Sequence, residues 1–167
     1  MADKPAQSRL RAALPGPALG FLGSLGWAAA MGASAALAGV MKAWSSGGNL
    51  DTVIVIFAIG GLVAFVPALT AYRFLGGQKV RGQRIALAFL TLAAATIVCT
   101  SATFTLIFRT YYAQWHDEIL TGDWFREQFY TTASSTYQFA VLGLRSFLPL
   151  GLPALFAASW LISKKPV

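Results

Sequence analysis

The feature that most constrains this chain is a set of four apolar runs of roughly 22 to 27 residues, each long enough as a helix to cross a hydrocarbon core about 30 Å thick. They fall at about 18–44, 52–75, 85–108 and 138–162. In lipid a backbone must satisfy its own polar groups, so runs of this kind are helices. The predicted fold is therefore all-α, an integral membrane bundle of four transmembrane helices. Of the 167 residues, 56% are hydrophobic and only 11% charged, against about a quarter charged in a typical soluble domain. Residues 1–17 read as a basic amino-terminal segment, 18–162 as a single transmembrane domain with an outer loop at 109–137, and 163–167 as a short tail. No separate catalytic domain fits within that division.

Prolines and glycines punctuate the runs. Pro15 and Pro17 place the start of the first span near Ala18, because proline suits a helix's first turn and not its interior. Pro67 removes a backbone donor inside the second span and predicts a kink there. Pro149 and Pro153 break up the fourth, in the stretch LPLGLP. Basic residues ahead of the first run resemble a signal sequence, but the apolar stretch continues to about Ala43, which favours a retained helix.

Orientation follows from the basic residues. With the amino end in the cytoplasm, the inner side collects nine of them (Lys4, Arg9, Arg11, Arg73, Lys79, Arg81, Arg84, Lys164, Lys165) and the outer side three (Lys42, Arg109, Arg126). That bias predicts both termini inside. The same residues account for the net charge of +7 as topology signals and anionic-lipid contacts, so no nucleic-acid partner is expected. Cys99 is the only cysteine, which excludes an internal disulfide and a dithiol oxidoreductase.

Four groups of residues are candidates for function. Gly20, Ser24, Ala28, Gly32 and Ala36 recur every fourth position of the first span; such a stripe lets two backbones approach closely, in this bundle, in an oligomer or on another subunit. Thr96, Thr100 and Thr103 share a face of the third span, with Ser101 and Thr105 nearby. They can line a water path, or each hydroxyl can bond a carbonyl one turn back. Arg145 is the one charged residue inside a span, where insertion costs about 3 kcal/mol. It either snorkels to the headgroups or turns inward to the hydroxyls of Thr100, Ser101 and Thr103 or to an acid of another chain. In the outer loop, Trp124, Phe125, Phe129 and Tyr130 gather on one side of a short helix, with Trp115 nearby. This reads as an amphipathic helix in the headgroup layer or a folded cap on the bundle.

His116, Asp117 and Glu118 are the only cluster of metal-ligand type, and a lone histidine without a second at ligand spacing does not make a site. Tyr111, Tyr112, Trp115 and Trp124 can flank a quinone headgroup, although aromatic belts need no ligand. The sequence carries no nucleophile with its base and no phosphate-binding glycine loop. The function expected from these features is that of an accessory or assembly subunit of a larger membrane complex, not an enzyme, in a bacterial inner membrane. Its partners would be membrane lipids, other integral membrane subunits or itself, with bound phospholipid and no cofactor. A small oligomeric channel or carrier, and a quinone- or lipid-interacting enzyme subunit, are the alternatives.

Overall fold

The computed structural model describes residues 6–41, 49–76, 80–115 and 118–164, and the regular elements among them are all helical. The long elements are α2 (Pro17–Met41), α3 (Leu50–Gly76) and α4 (Arg81–Tyr112), preceded by a short α1 (Ala6–Ala13) and followed by α5 (Gly122–Gln138) and α6 (Gly151–Ser163). α2, α3 and α4 are each long and apolar enough to cross a membrane, and the bent pair 122–147 with 151–163, taken as one span, makes a fourth. The protein is thus a helical membrane bundle.

Helix ends follow local chemistry. Pro17 opens α2, and the first regular bond runs from Gly20 N to Gly16 O at 2.9 Å, so the donor that proline lacks is not missed. Asp51 sits in the first turn of α3, favourably placed in the field of its N-terminus. Pro67 lies inside α3, which remains one helical element from Leu50 to Gly76, and at 148–150 the two parts of the fourth span meet at 72°. The basic amino-terminal segment contributes α1, which packs on α3; Ala13 is buried and Arg73 donates to Leu14 O at 3.0 Å.

The packing order is a ring: α2 on α3, α3 on α4, α4 on α6, with α6 and the turn before it closing back onto α2. Trp27, Met31, Phe57, Phe65, Leu92 and Leu155 lie in the core within that ring. Two adjacent glycines make α3 the hub. A Cβ on Gly60 would stand 2.6 Å from Thr100 Cα on α4, and one on Gly61 would stand 3.0 Å from Trp27 O on α2. Both contacts involve backbone, which cannot swing aside as a side chain would. Only glycine allows the two neighbours to press this closely, and in lipid such proximity supplies the dispersion and polar contacts that hold helices together.

The segment 109–137 departs from the expected loop. With the turn Ala113–Trp115, α4 runs for 35 residues, about 50 Å at helical rise and so some 20 Å longer than a hydrocarbon core. The chain then turns through Leu120, whose φ is 74°, and α5 folds back on α4. Thr121 caps α5, accepting from Trp124 N at 3.1 Å and donating to Glu118 O at 2.9 Å. α5 does not lie as a separate helix beside the span. It continues into it through a π-helical turn, Phe139–Gly143, and a 3₁₀ turn, Leu144–Phe147. The sequence disguises this continuity because α5 is polar; two of its polar residues, Gln128 and Ser135, bond side chains of α4.

Candidate functional site

The most unusual local structure is the break in the fourth span, and the residue that makes it tolerable is Ser34 on α2. In an unbroken helix Leu150 N would bond Ser146 O and Gly151 N would bond Phe147 O. Pro149 brings no donor of its own, and Leu148 N closes instead onto Arg145 O at 3.2 Å, a 3₁₀-type bond. The Ser34 hydroxyl enters the gap. It donates to Ser146 O at 2.8 Å and accepts from Leu150 N at 3.2 Å and Gly151 N at 2.9 Å. Its single donor and both acceptor sites are therefore used. Ser34 is fully buried, so these bonds form where water cannot replace them. Regular helix resumes with Ala154 N to Leu150 O at 2.9 Å, and Pro153 falls in the first turn of α6, where proline is tolerated. Broken helices occur at membrane depth only when protein satisfies the freed backbone groups, and here one side chain satisfies three.

Just before the break, the π-helical turn carries its bond from Leu144 N to Phe139 O. Phe139 leans over Gly143, where a Cβ would meet its ring at 2.6 Å. Its ring joins Phe57, Phe104 and Phe147, the nearest pair being Phe57 and Phe147 at 4.7 Å between centroids. Apolar pockets open on either side of this segment. One of about 230 Å³ is bounded by Trp27, Thr96, Ile97, Leu144 and Phe147, among others, and one of about 260 Å³ by Phe57, Phe104, Phe139, Leu142 and Gly143, among others. Beside the first, Trp27 Nε1 donates to Thr96 Oγ1 at 2.9 Å while Thr96 donates back to Leu92 O at 2.6 Å.

The hairpin of α4 and α5 is joined by polar side chains. Ser135 Oγ donates to Thr105 Oγ1 at 3.0 Å in buried surroundings. One turn further out, Arg109 directs Nε, at 2.8 Å, and Nη2 to Gln128 Oε1. With this seam turned inward, Phe125, Phe129, Tyr130 and Tyr137 are left on the outside, Phe129 and Tyr137 each 70% exposed. Trp124 is half-buried, edge-on to Phe125 at 4.9 Å, and Trp115 is exposed beside Tyr111 and Tyr112. The ion pair Asp123–Arg126 at 3.0 Å is solvent-exposed and contributes little.

The small-residue stripe lies against α3: Gly20, Ser24 and Gly32 are buried, Ala28 and Ala36 half-buried. A Cβ on Gly32 would meet Ala58 Cβ at 3.4 Å, an ordinary contact, so the closest approach to a neighbour's backbone is at Gly60 and Gly61 and not at Gly32. On α4, Thr96 and Thr103 bond the carbonyls of Leu92 and Cys99 one turn back. Thr100 does not; it is fully buried against Gly60 with Oγ1 unpartnered among the described residues. Ser101 is half-buried. These residues do not meet Arg145. Its side chain is exposed on the outer surface of the 3₁₀ turn, and it has no hydrogen bond or ion pair among the described residues. In this turn Ser146 is buried and Phe147 half-buried against Phe57 of α3, while Arg145 is exposed. Among the described residues no group of three His, Cys, Asp or Glu could hold a metal; His116 and Asp117 lie outside them.

Sequence reasoning missed Ser34 and the α4–α5 seam. A lone serine in an apolar run carries no signal of its own, and the seam would have shown only through the period of Gln128 and Ser135 on one face of a helix. Compared with known proteins, the chain matches no family model, no curated protein and no solved structure.

Proposed function

We propose that this protein is an accessory or assembly subunit of a larger membrane complex, acting through helix packing and contacts with lipid and partner helices. The observation that carries the reading is the inverted face of α5: Gln128 and Ser135 are committed to α4 while Phe125, Phe129, Tyr130 and Tyr137 are exposed. An apolar patch of this kind on a protein marks a surface that another surface covers. α4 agrees with it, since only 22% of its apolar window is buried, against 39% for α2 and 44% for α3. Its outer flank is free for lipid or a neighbouring helix.

The basic bias of nine residues to three supports termini in the cytoplasm, and the alanine- and arginine-rich composition suits a bacterial inner membrane. A reporter fused after Val167 is expected to work only in a form active in the cytoplasm, and a cysteine replacing Asn49 to be labelled from outside. Activity of a periplasm-dependent reporter would reverse the orientation. The apolar pockets beside the break favour phospholipid acyl chains as bound components. The reading is tested by mild-detergent extraction of the tagged chain and identification of what accompanies it. Unrelated membrane subunits in fixed ratio are expected; a symmetric homo-oligomer alone would favour a small channel or carrier.

A further inference from the structure

We infer that Arg145 is the anchor point for a transmembrane helix of a different protein, one that carries an aspartate or glutamate near the middle of its span. The inference rests on the accessory-subunit reading and specifies the partner.

The depth of Arg145 can be read from the α4–α5 register. Ser135 is level with Thr105 and Gln128 with Arg109, so ten residues further along the fourth span Arg145 is level with about residue 95 of α4. The pocket that Leu144, Phe147 and Leu148 share with Thr96 and Ile97 places the same residues side by side. Thr96 and Ile97 are at the centre of the apolar run 85–108, about 15 Å from either edge of the hydrocarbon core. An arginine side chain reaches about half that distance, so snorkelling does not bring this guanidinium to a phosphate.

The side chain faces outward, away from the hydroxyls of α4. Around it Tyr130, Ser134, Tyr137, Val141, Arg145 and Leu148 are all exposed and follow one another at three- and four-residue intervals. They form one stripe of the kind a second helix packs along, apolar or aromatic apart from Ser134 and the charge. A cation with five donors and no acceptor at this depth is complemented by a carboxylate, which can take two of its N–H groups at once. The chain cannot supply that carboxylate from a second copy. Its six acids are Asp3, Asp51, Asp117, Glu118, Asp123 and Glu127. None falls in the interior of an apolar run, Asp51 being the second residue of α3. The complement must come from another protein.

The test uses the full chain in native membranes, with a photo-reactive phenylalanine analogue in place of Val141, Leu148 or, as a reference on α5, Phe129. Adducts at 141 and 148 are expected with one membrane protein that has an acidic residue at mid-span. Arg145→Leu should lower their yield at least tenfold and Arg145→Lys less, because an ammonium lacks the fork geometry. Exchanging the charges, Arg145→Glu here and that carboxylate to arginine in the partner, should restore at least half the yield. This exchange decides the matter even if Arg145→Leu fails to accumulate. Adducts with lipid alone, yields unchanged in Arg145→Leu, or an exchange without recovery would overturn the inference. A partner captured at 129 but not at 141 or 148 would overturn it while leaving the accessory reading standing, and no protein adduct at any of the three positions would remove both.

Discussion

Ser34 Oγ donates to the carbonyl oxygen of Ser146 at 2.8 Å, across 112 residues of chain, and so occupies the place where the fourth span has lost its own backbone bond. The break at Pro149 is therefore part of the tertiary structure: α2 must be in position before the fourth span can take its 72° bend without stranding polar groups.

Removing that hydroxyl exposes the cost. Ser34→Ala would leave Ser146 O and Gly151 N unsatisfied in buried surroundings and Leu150 N in a part-buried one, with a penalty of about 1 to 3 kcal/mol for each buried group that finds no substitute. A loss of at least about 2 kcal/mol in unfolding free energy in detergent is expected. Wild-type stability of Ser34→Ala would mean the break satisfies itself.

The paired glycines make a sharper contrast. Gly60→Ala would drive a methyl to 2.6 Å from Thr100 Cα, whereas a Cβ on Gly26 meets nothing within 4 Å. Gly60→Ala is expected to destabilise by about 1 to 3 kcal/mol, as overpacked interfaces do, and Gly26→Ala to be neutral or mildly stabilising. At Gly32 the 3.4 Å contact with Ala58 admits alanine but not leucine. Equal thermal midpoints for Gly60→Ala and Gly26→Ala would contradict the close approach of α3 and α4.

The hairpin seam predicts which side of α5 meets lipid or a partner. Spin labels at Phe125 and Phe129 should be accessible to a lipid-soluble relaxing agent, and a label at Ser135 should not. Ser135→Ala should cost about 1 kcal/mol, with little further loss when Thr105→Ala is added, because the two hydroxyls serve each other. Equal accessibility around the helix would mean that α5 does not pack on α4 as described.

Much of this architecture was legible in the sequence because lipid leaves few choices. Runs such as 52–75 must be helices, and the structure has α3 at Leu50–Gly76. LPLGLP marked the break for the same reason that Pro17 marked a beginning. Pro67 is equally visible in the sequence and lies inside α3, which remains one helical element around it. By hydropathy the fourth span begins at 138, because Gln128, Thr131, Ser134 and Ser135 dilute what precedes it, yet Gln128 and Ser135 bond α4. For Arg145 the sequence leaves two readings, snorkelling to the headgroups or turning inward, because it shows that a charge lies within an apolar run and not which way the turn aims it. In the turn before Pro149, Ser146 is buried and its carbonyl is held by Ser34, 112 residues earlier, while Arg145 is exposed.

Whether the protein is a subunit of something larger is tested most directly by native mass spectrometry of the tagged chain released from membranes in its own lipid, without prior delipidation. The account predicts a mass above multiples of 17.8 kDa, resolvable into this chain, bound phospholipid and at least one unrelated membrane protein, with the unrelated protein lost in Arg145→Leu. A mass explained by copies of this chain and lipid alone would contradict it.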